Sequence, residues 1–175
     1  DRKEEALRAF RTSLELSPES PMTYYDYGSY CQRLGDQDEA IEALKHALEL
    51  ADSGGKAIWP EAHYDLGRSY EAKGILEEAL RHYRRAAELA PRVAAYGRAI
   101  GMVYRQLGRI DDAIGRLEEA VALEPEDASI RAELGDTFAV KGWLLEALDE
   151  YQEAARLAPD NVVYHRRVGT TLREL

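Results

Sequence analysis

The chain has 175 residues, 45% of them hydrophobic and 32% charged, with a formal net charge of −10. That length can bury a core, and the acidity argues against general nucleic-acid binding, which relies on lysines and arginines neutralising phosphates. A single cysteine, Cys31, excludes a disulfide framework and paired metal thiolates, and no apolar run approaches the roughly eighteen residues a membrane helix needs.

From the N-terminus, DRKEEALRAF reads as an amphipathic helix rather than a secretion signal. Beyond it, apolar residues recur at helical spacing in paired blocks, such as Tyr64, Leu66, Gly67 and Tyr70 followed by Ala79, Leu80, Tyr83, Ala86 and Ala87. A glycine separates the blocks. Gly74, Gly108 and Gly142 fall where a helix ends in a left-handed residue, and Asp111, Asp112 and Glu146 favour the positive N-terminus of the helix that follows. Pro91, Pro125 and Pro159 close the second helix of each pair.

The pairs keep a fixed period. LEEALRHYRRAAELAP at 76–91 returns as LLEALDEYQEAARLAP at 144–159, agreeing at ten of sixteen positions, nearly all Leu, Ala, Tyr or Pro, while charges reverse elsewhere. Pro91, Pro125 and Pro159 are 34 residues apart, as are Gly67, Gly101, Gly135 and Gly169. The frame slips once: Gly28 precedes Gly67 by 39 residues, which places five extra residues near SGGKAIW. Small residues at close approaches and large ones in the gaps explain why the apolar spacing is fixed and the charged positions vary.

This pattern resembles the tetratricopeptide repeat, whose first helix carries an aromatic, Leu-Gly and Tyr and whose second carries Ala, an aromatic, Ala and Pro. Residues 128–161 match best, through Leu134-Gly135, Phe138, Ala147, Tyr151, Ala154 and Pro159. The resemblance implies an all-α, right-handed solenoid, a superhelix of antiparallel helix pairs with about ten helices. The chain then divides into the second half of a repeat at 1–20 (Ala6, Phe10, Pro18), repeats at 21–54, 60–93, 94–127 and 128–161, an insertion at 55–59, and a further first helix or cap at 162–175. Both ends read as lying inside a longer protein.

Little in the sequence suggests catalysis. His46, His63, His82 and His165 never sit at the i, i+4 spacing of paired metal ligands, and His63 and His165 occupy an aromatic position, where ring packing between repeats is expected. Cys31 stands where other copies have Tyr70, Tyr104 and Phe138, which reads as an inert core thiol. The acidic pairs Glu77-Glu78, Asp111-Asp112 and Glu118-Glu119 read as solvated helix surface. No glycine-rich phosphate loop is present, and no enzyme, metal or other cofactor is expected.

The resemblance also implies that a partner binds on the concave face lined by the first helices. The positions carried over include Tyr25, Ser29, Tyr64, Arg68, Arg98, Met102, Arg105, Asp136 and Arg166. The face so defined holds more Arg than Asp and Glu on a chain that is acidic overall. Arg98 and Arg105, seven residues apart, share a helix face. Two readings follow: these arginines fork onto an acidic peptide or protein segment, or they answer acids on neighbouring helices. The clamp by which some family members capture acidic chaperone tails needs Asn where this chain has Ser29, Arg68, Met102 and Asp136, and the Asn ladder of another branch is replaced by Asp26, Asp65, Ala99 and Glu133.

Two departures from the repeat stand out. Trp59 ends the insertion: either the insertion lengthens the preceding helix and then forms a loop presenting the ring at the groove edge, or the ring staples the chain to the helix starting at Pro60. Trp143-Leu144-Leu145 puts Leu145 where other copies are acidic, which suggests a second contact patch or self-association. Gly97 and Gly115 are further expected to make residues 94–127 the softest copy. Altogether the sequence reads as a cytoplasmic protein-interaction scaffold with a peptide or protein ligand, no nucleic acid and no membrane insertion. The alternatives are a spacer that self-associates through its terminal helices and a docking arm of an enzyme domain outside the segment.

Overall fold

The computed structural model describes residues 2–53 and 59–175, so the insertion at 55–59 lies outside the described residues except for Trp59. Ten helices are present among them: α1 (Arg2–Leu16), α2 (Pro21–Leu34), α3 (Gln37–Ser53), α4 (Pro60–Ala72), α5 (Leu76–Leu89), α6 (Ala94–Gln106), α7 (Ile110–Leu123), α8 (Ala128–Lys141), α9 (Leu144–Leu157) and α10 (Val162–Glu174). They cluster into two compact units, residues 1–90 and 91–175. In both, first helix and second helix pack as antiparallel hairpins: α2 with α3 and α4 with α5 in one unit, α6 with α7 and α8 with α9 in the other.

Each hairpin turn is made the same way. Gly142 has φ of 84°, its N–H donates to the Ala139 carbonyl at 3.0 Å, and the next N–H, of Trp143, reaches back to Phe138 at 2.9 Å. This is the left-handed helix end that glycine adopts without a Cβ penalty, and Gly35, Gly74 and Gly108 repeat it. The helix starts vary more. Ser20 accepts the Thr23 N–H, Asp127 accepts those of Ser129 and Ile130, and Asn161 accepts that of Val163, while α4 begins with Pro60 and no side-chain cap. The C-terminal prolines stand two residues beyond the last helical residue, as at Leu157 and Pro159. Helix α3 has 17 residues against 14 for α5, α7 and α9, the lengthening expected before the frame slip.

Within a hairpin the close approach is made at one glycine. A Cβ on Gly135 would stand 2.7 Å from the Tyr151 ring, and Gly67 meets Tyr83 in the same way, 16 residues on. The missing methyl lets a ring lie across the first helix, so the Gly and the aromatic of the repeat are one packing device. The Tyr151 and Tyr83 side chains are buried and their hydroxyls donate to acids, Asp136 at 2.8 Å and Glu71 at 2.7 Å. Burial, reinforced by the carboxylate, pushes both phenols well above the ordinary tyrosine range.

In the first unit, Leu7, Phe10 and Leu14 of α1 pack on a core of Tyr27, Cys31, Ala40 and Ala43. Cys31 is 2% exposed and burial pushes its thiol up, away from the reactive thiolate. The second unit is built on Ile114, Leu117, Ile130, Leu134, Phe138 and Tyr151, with Val168 of α10 packed against them.

Candidate functional site

The first helices of the second unit line a cleft of about 400 Å³. Helix α6 supplies Met102 and Arg105, α8 supplies Ser129, Ala132, Glu133 and Asp136, and the start of α10 supplies Asn161, Val163, Tyr164 and Arg167. Its lining mixes the charged Arg105, Glu133, Asp136 and Arg167 with the apolar Met102, Ala132 and Val163.

Three charged groups meet there. The Asp136 carboxylate accepts the Tyr151 hydroxyl on one oxygen and receives Arg167 at 2.8 Å on the other. Arg105 approaches that second oxygen only to 3.7 Å, an ion pair too long to be a hydrogen bond. Arg105 and Asp136 are 23% and 24% exposed, so the pair is only partly screened by solvent. Arg98 is held differently. Its Nε and Nη2 fork onto the two Glu133 oxygens at 2.7 and 2.6 Å, the bidentate geometry that satisfies a guanidinium and a carboxylate together.

Of the residues expected from sequence in this unit, Met102, Arg105 and Asp136 come together in the cleft. Arg98 lies beside it, committed to Glu133, so for this arginine the reading in which it answers a neighbouring acid describes the contact. Arg166 is exposed and absent from the lining; the α10 arginine in the cleft is Arg167, one residue on and i+4 from Val163. Arg167, at the sixth position of its copy, was passed over by sequence reasoning, and Glu133, at the same position of its own, entered it only as the residue standing in place of a ladder Asn. A signal for them exists in the spacing: Arg98 to Glu133 is 35 residues, one more than the repeat, and the Arg167 guanidinium reaches the Ala132 carbonyl over the same 35.

The first unit obeys the same rule. Tyr25 donates to Asp65 at 3.0 Å across 40 residues, the 35 of the other unit plus the five of the frame slip. Ser29 also donates to Asp65, at 3.3 Å, and Gln32 bonds the Asp65 carbonyl and the Ser69 hydroxyl. Burial and the Asp65 charge together push the Tyr25 phenol up to about 12. Trp59 lies on this cluster with its ring 4.9 Å from that of Tyr25, so it packs against the preceding first helix and not only beside its own. Arg68 reaches Asp65 at 3.7 Å and is half exposed, and Tyr64 packs its ring on Tyr83 at 5.5 Å.

Among the histidines the ring-packing expectation divides. His63 packs within its own hairpin, its Nδ1 3.1 Å from that of His82 and the two rings stacked. His165 corrects the expectation: it is exposed, and its Nε2 donates to the Pro159 carbonyl at 2.8 Å. The reason is local, since α4 has α5 folded over it and no second helix follows α10 among the described residues. Among those residues no group of three or more His, Cys, Asp or Glu is placed to hold a metal, and no helix is long and apolar enough to cross a membrane. The acidic pairs lie on the surface, Asp112 with Arg109 and Glu119 with Arg116.

At the α8–α9 turn, Trp143 is 43% and Leu145 65% exposed, next to Val140 at 64%. Phe138 stacks under Trp143, and the Lys141 ammonium lies 3.4 Å from the Trp143 ring centroid while also pairing with Asp111. The apolar patch expected from Trp143-Leu144-Leu145 is thus present as surface.

Tetratricopeptide repeat family models match residues 23–53, 60–93 and 98–162, which together take in most of the chain. An uncharacterized TPR repeat-containing protein of Arabidopsis thaliana is 34% identical over 90 residues, 50% of this chain and 11% of that relative. The small glutamine-rich tetratricopeptide repeat-containing protein 2 of Mycosarcoma maydis is 28% identical over 86 residues, 49% of this chain and 23% of its own length. The chain thus spans only a minor part of these curated relatives. Among solved structures, MamA is similar with a TM-score of 0.82 at 25% identity, over 90% of this chain and 89% of that one. A thermophilic TPR protein of Thermus thermophilus has a TM-score of 0.72 at 29% identity, over 98% and 91%. YrrB, a TPR protein with an unusual peptide-binding site, has a TM-score of 0.76 at 23% identity, over 95% and 83%. The chain belongs to the tetratricopeptide repeat family, and the 34-residue frame that sets its helix pairs is that family's repeat.

Proposed function

We propose that this chain is a non-catalytic interaction scaffold that seats an extended peptide or protein segment carrying acidic residues in the cleft lined by α6, α8 and α10. The observation that carries the reading is the cleft itself, about 400 Å³ bounded by three consecutive first helices and lined by Arg105 and Arg167, by Glu133 and Asp136, and by Met102, Val163 and Tyr164. Such a surface offers alternating apolar and charged contacts to a segment that lies along it, and its helices are held by packing that no ligand needs to create. The fold neighbour YrrB, which has a peptide-binding site, supports the class of ligand. The net charge of −10 favours a protein ligand over nucleic acid.

Selection from a displayed random-peptide library tests this. Peptides enriched on the wild-type chain should lose about tenfold or more in affinity for Met102→Trp, which fills the cleft, with helical content unchanged. Peptides that ignore this change and respond instead to Leu145→Glu would move the binding surface to the α8–α9 turn.

A second reading rests on exposed apolar side chains of the terminal helices, Leu16 at 79% in α1 and Val162 at 77% and Leu172 at 54% in α10. These favour self-association through the terminal helices, and a mass by light scattering that rises with concentration would support it.

A further inference from the structure

The two arginines of α6 share a helix face but differ in what holds them. Arg98 is forked onto Glu133, with both bonds short. Arg105 has Asp136 at 3.7 Å and, among the described residues, donates no hydrogen bond, although it lines the cleft and is only 23% exposed. A guanidinium carries five donors in a rigid fork, and Arg105 lines the cleft with donors that no acceptor among the described residues takes, so they are open to an acceptor brought by a ligand. Asp136 is the nearest acceptor and is already occupied, since Tyr151 takes one oxygen and Arg167 the other. Asp136 therefore orients Arg105 by charge without consuming its fork.

We propose that Arg105 is the carboxylate anchor of this cleft, held open by Asp136 to take one Asp or Glu side chain of an extended segment from another protein, and that Arg98 takes no part. The inference rests on the cleft being the ligand site. It makes the selectivity of the cleft for acidic over neutral ligands a property of one side chain. Asp136 then has two opposed effects: it positions Arg105 and Arg167, and its own charge competes with the incoming carboxylate. Next to Arg105, Met102 and Val163 give the residue beside the acid an apolar contact, so the preferred segment alternates an acidic with an apolar residue.

The test uses three pools of fluorescein-labelled octapeptides on a common Leu/Ala/Ser background, containing Glu, Gln or Lys at the same positions, read by fluorescence anisotropy. The wild-type chain should bind the Glu pool about tenfold more tightly than the Gln pool, a preference that shrinks with added salt. Arg105→Gln should bring that ratio close to one, and Arg98→Gln should leave it unchanged. Thermal melts establish that each variant is folded. Loss of the preference in Arg98→Gln with retention in Arg105→Gln overturns the assignment. Equal binding of all three pools by wild type overturns the anchor but leaves the cleft as a peptide site, whereas no binding of any pool removes both.

Discussion

His63 of α4 and His82 of α5 face each other Nδ1 to Nδ1 at 3.1 Å, so one neutral ring donates to the other across the hairpin. Tyr70 stacks on His82 at 5.6 Å between centroids, and Lys45 lies over Tyr70. Burial is the main reason the pair resists protonation, holding His82 down at about 4 and lowering His63 as well. The cations Arg81 and Lys45 add to this at His82 and Arg85 at His63, while Asp52 opposes it at His63.

The sign of the pH dependence follows. An unfolded histidine binds its proton near pH 6.5, whereas folded His82 does so only near 4, so the unfolded chain takes up more protons in between. The contribution to stability is present above pH 6.5 and is lost as pH falls toward 4. Thermal melts between pH 7 and 4 should show His82→Gln losing several degrees less than wild type over that range. Parallel curves would mean that the pair does not titrate as its burial implies.

The glycines divide into two groups with opposite substitution effects. A Cβ on Gly115, inside α7, meets nothing within 4 Å, and one on Gly97 makes only ordinary contact, its nearest neighbour being the Arg116 carbonyl at 3.5 Å. Gly115→Ala and Gly97→Ala should each stabilise by up to about 1 kcal/mol, by removing the entropy cost of glycine in a helix. Gly135→Ala drives its methyl into Tyr151 and should cost about 1–3 kcal/mol. Urea denaturation of the three variants checks both signs.

Gly97 and Gly115 are expected to make α6 and α7 the soft part of their unit. Amide hydrogen exchange is expected to be faster in 94–127 than in 128–157, and Gly115→Ala should slow it. Equal protection along the unit would show that packing against α8 outweighs helix propensity.

Trp143 and Leu145 separate stability from contact. Leu145 is 65% exposed, so Leu145→Glu should change stability by less than about 0.5 kcal/mol. Trp143→Ala loses the Phe138 stack and the Lys141 contact and should cost about 1 kcal/mol. If the patch serves self-association, both changes reduce the mass seen by light scattering at high concentration.

What was readable in the sequence is what repeats inside one hairpin. The turn at Gly142 and the burial of Cys31 follow from spacings of a few turns of helix, where periodicity and steric rules act directly. Contacts between successive first helices were harder, because they depend on how far one helix is rotated against the next. One helical step separates Arg166 from Arg167, and assigning the cleft by family position chose the wrong side of that step. Once Arg98 is seen on Glu133, the spacing of one repeat plus one residue recovers the Tyr25–Asp65 bond as well. The His63–His82 pair was invisible to a search for i, i+4 ligands, since its members lie 19 residues apart on two helices. His165 fills the His63 position of its copy, but α10 carries no folded-over partner among the described residues to bury it.

The proposed ligand lies between α6, α8 and α10. The most direct measurement is a titration of backbone-assigned, isotope-labelled protein with the Glu-containing peptide pool, followed by amide chemical shifts. Saturable shifts centred on Met102, Arg105, Asp136 and Val163 are expected. Shifts confined to the neighbourhood of Trp143 and Leu145, with the cleft residues unmoved, would contradict it.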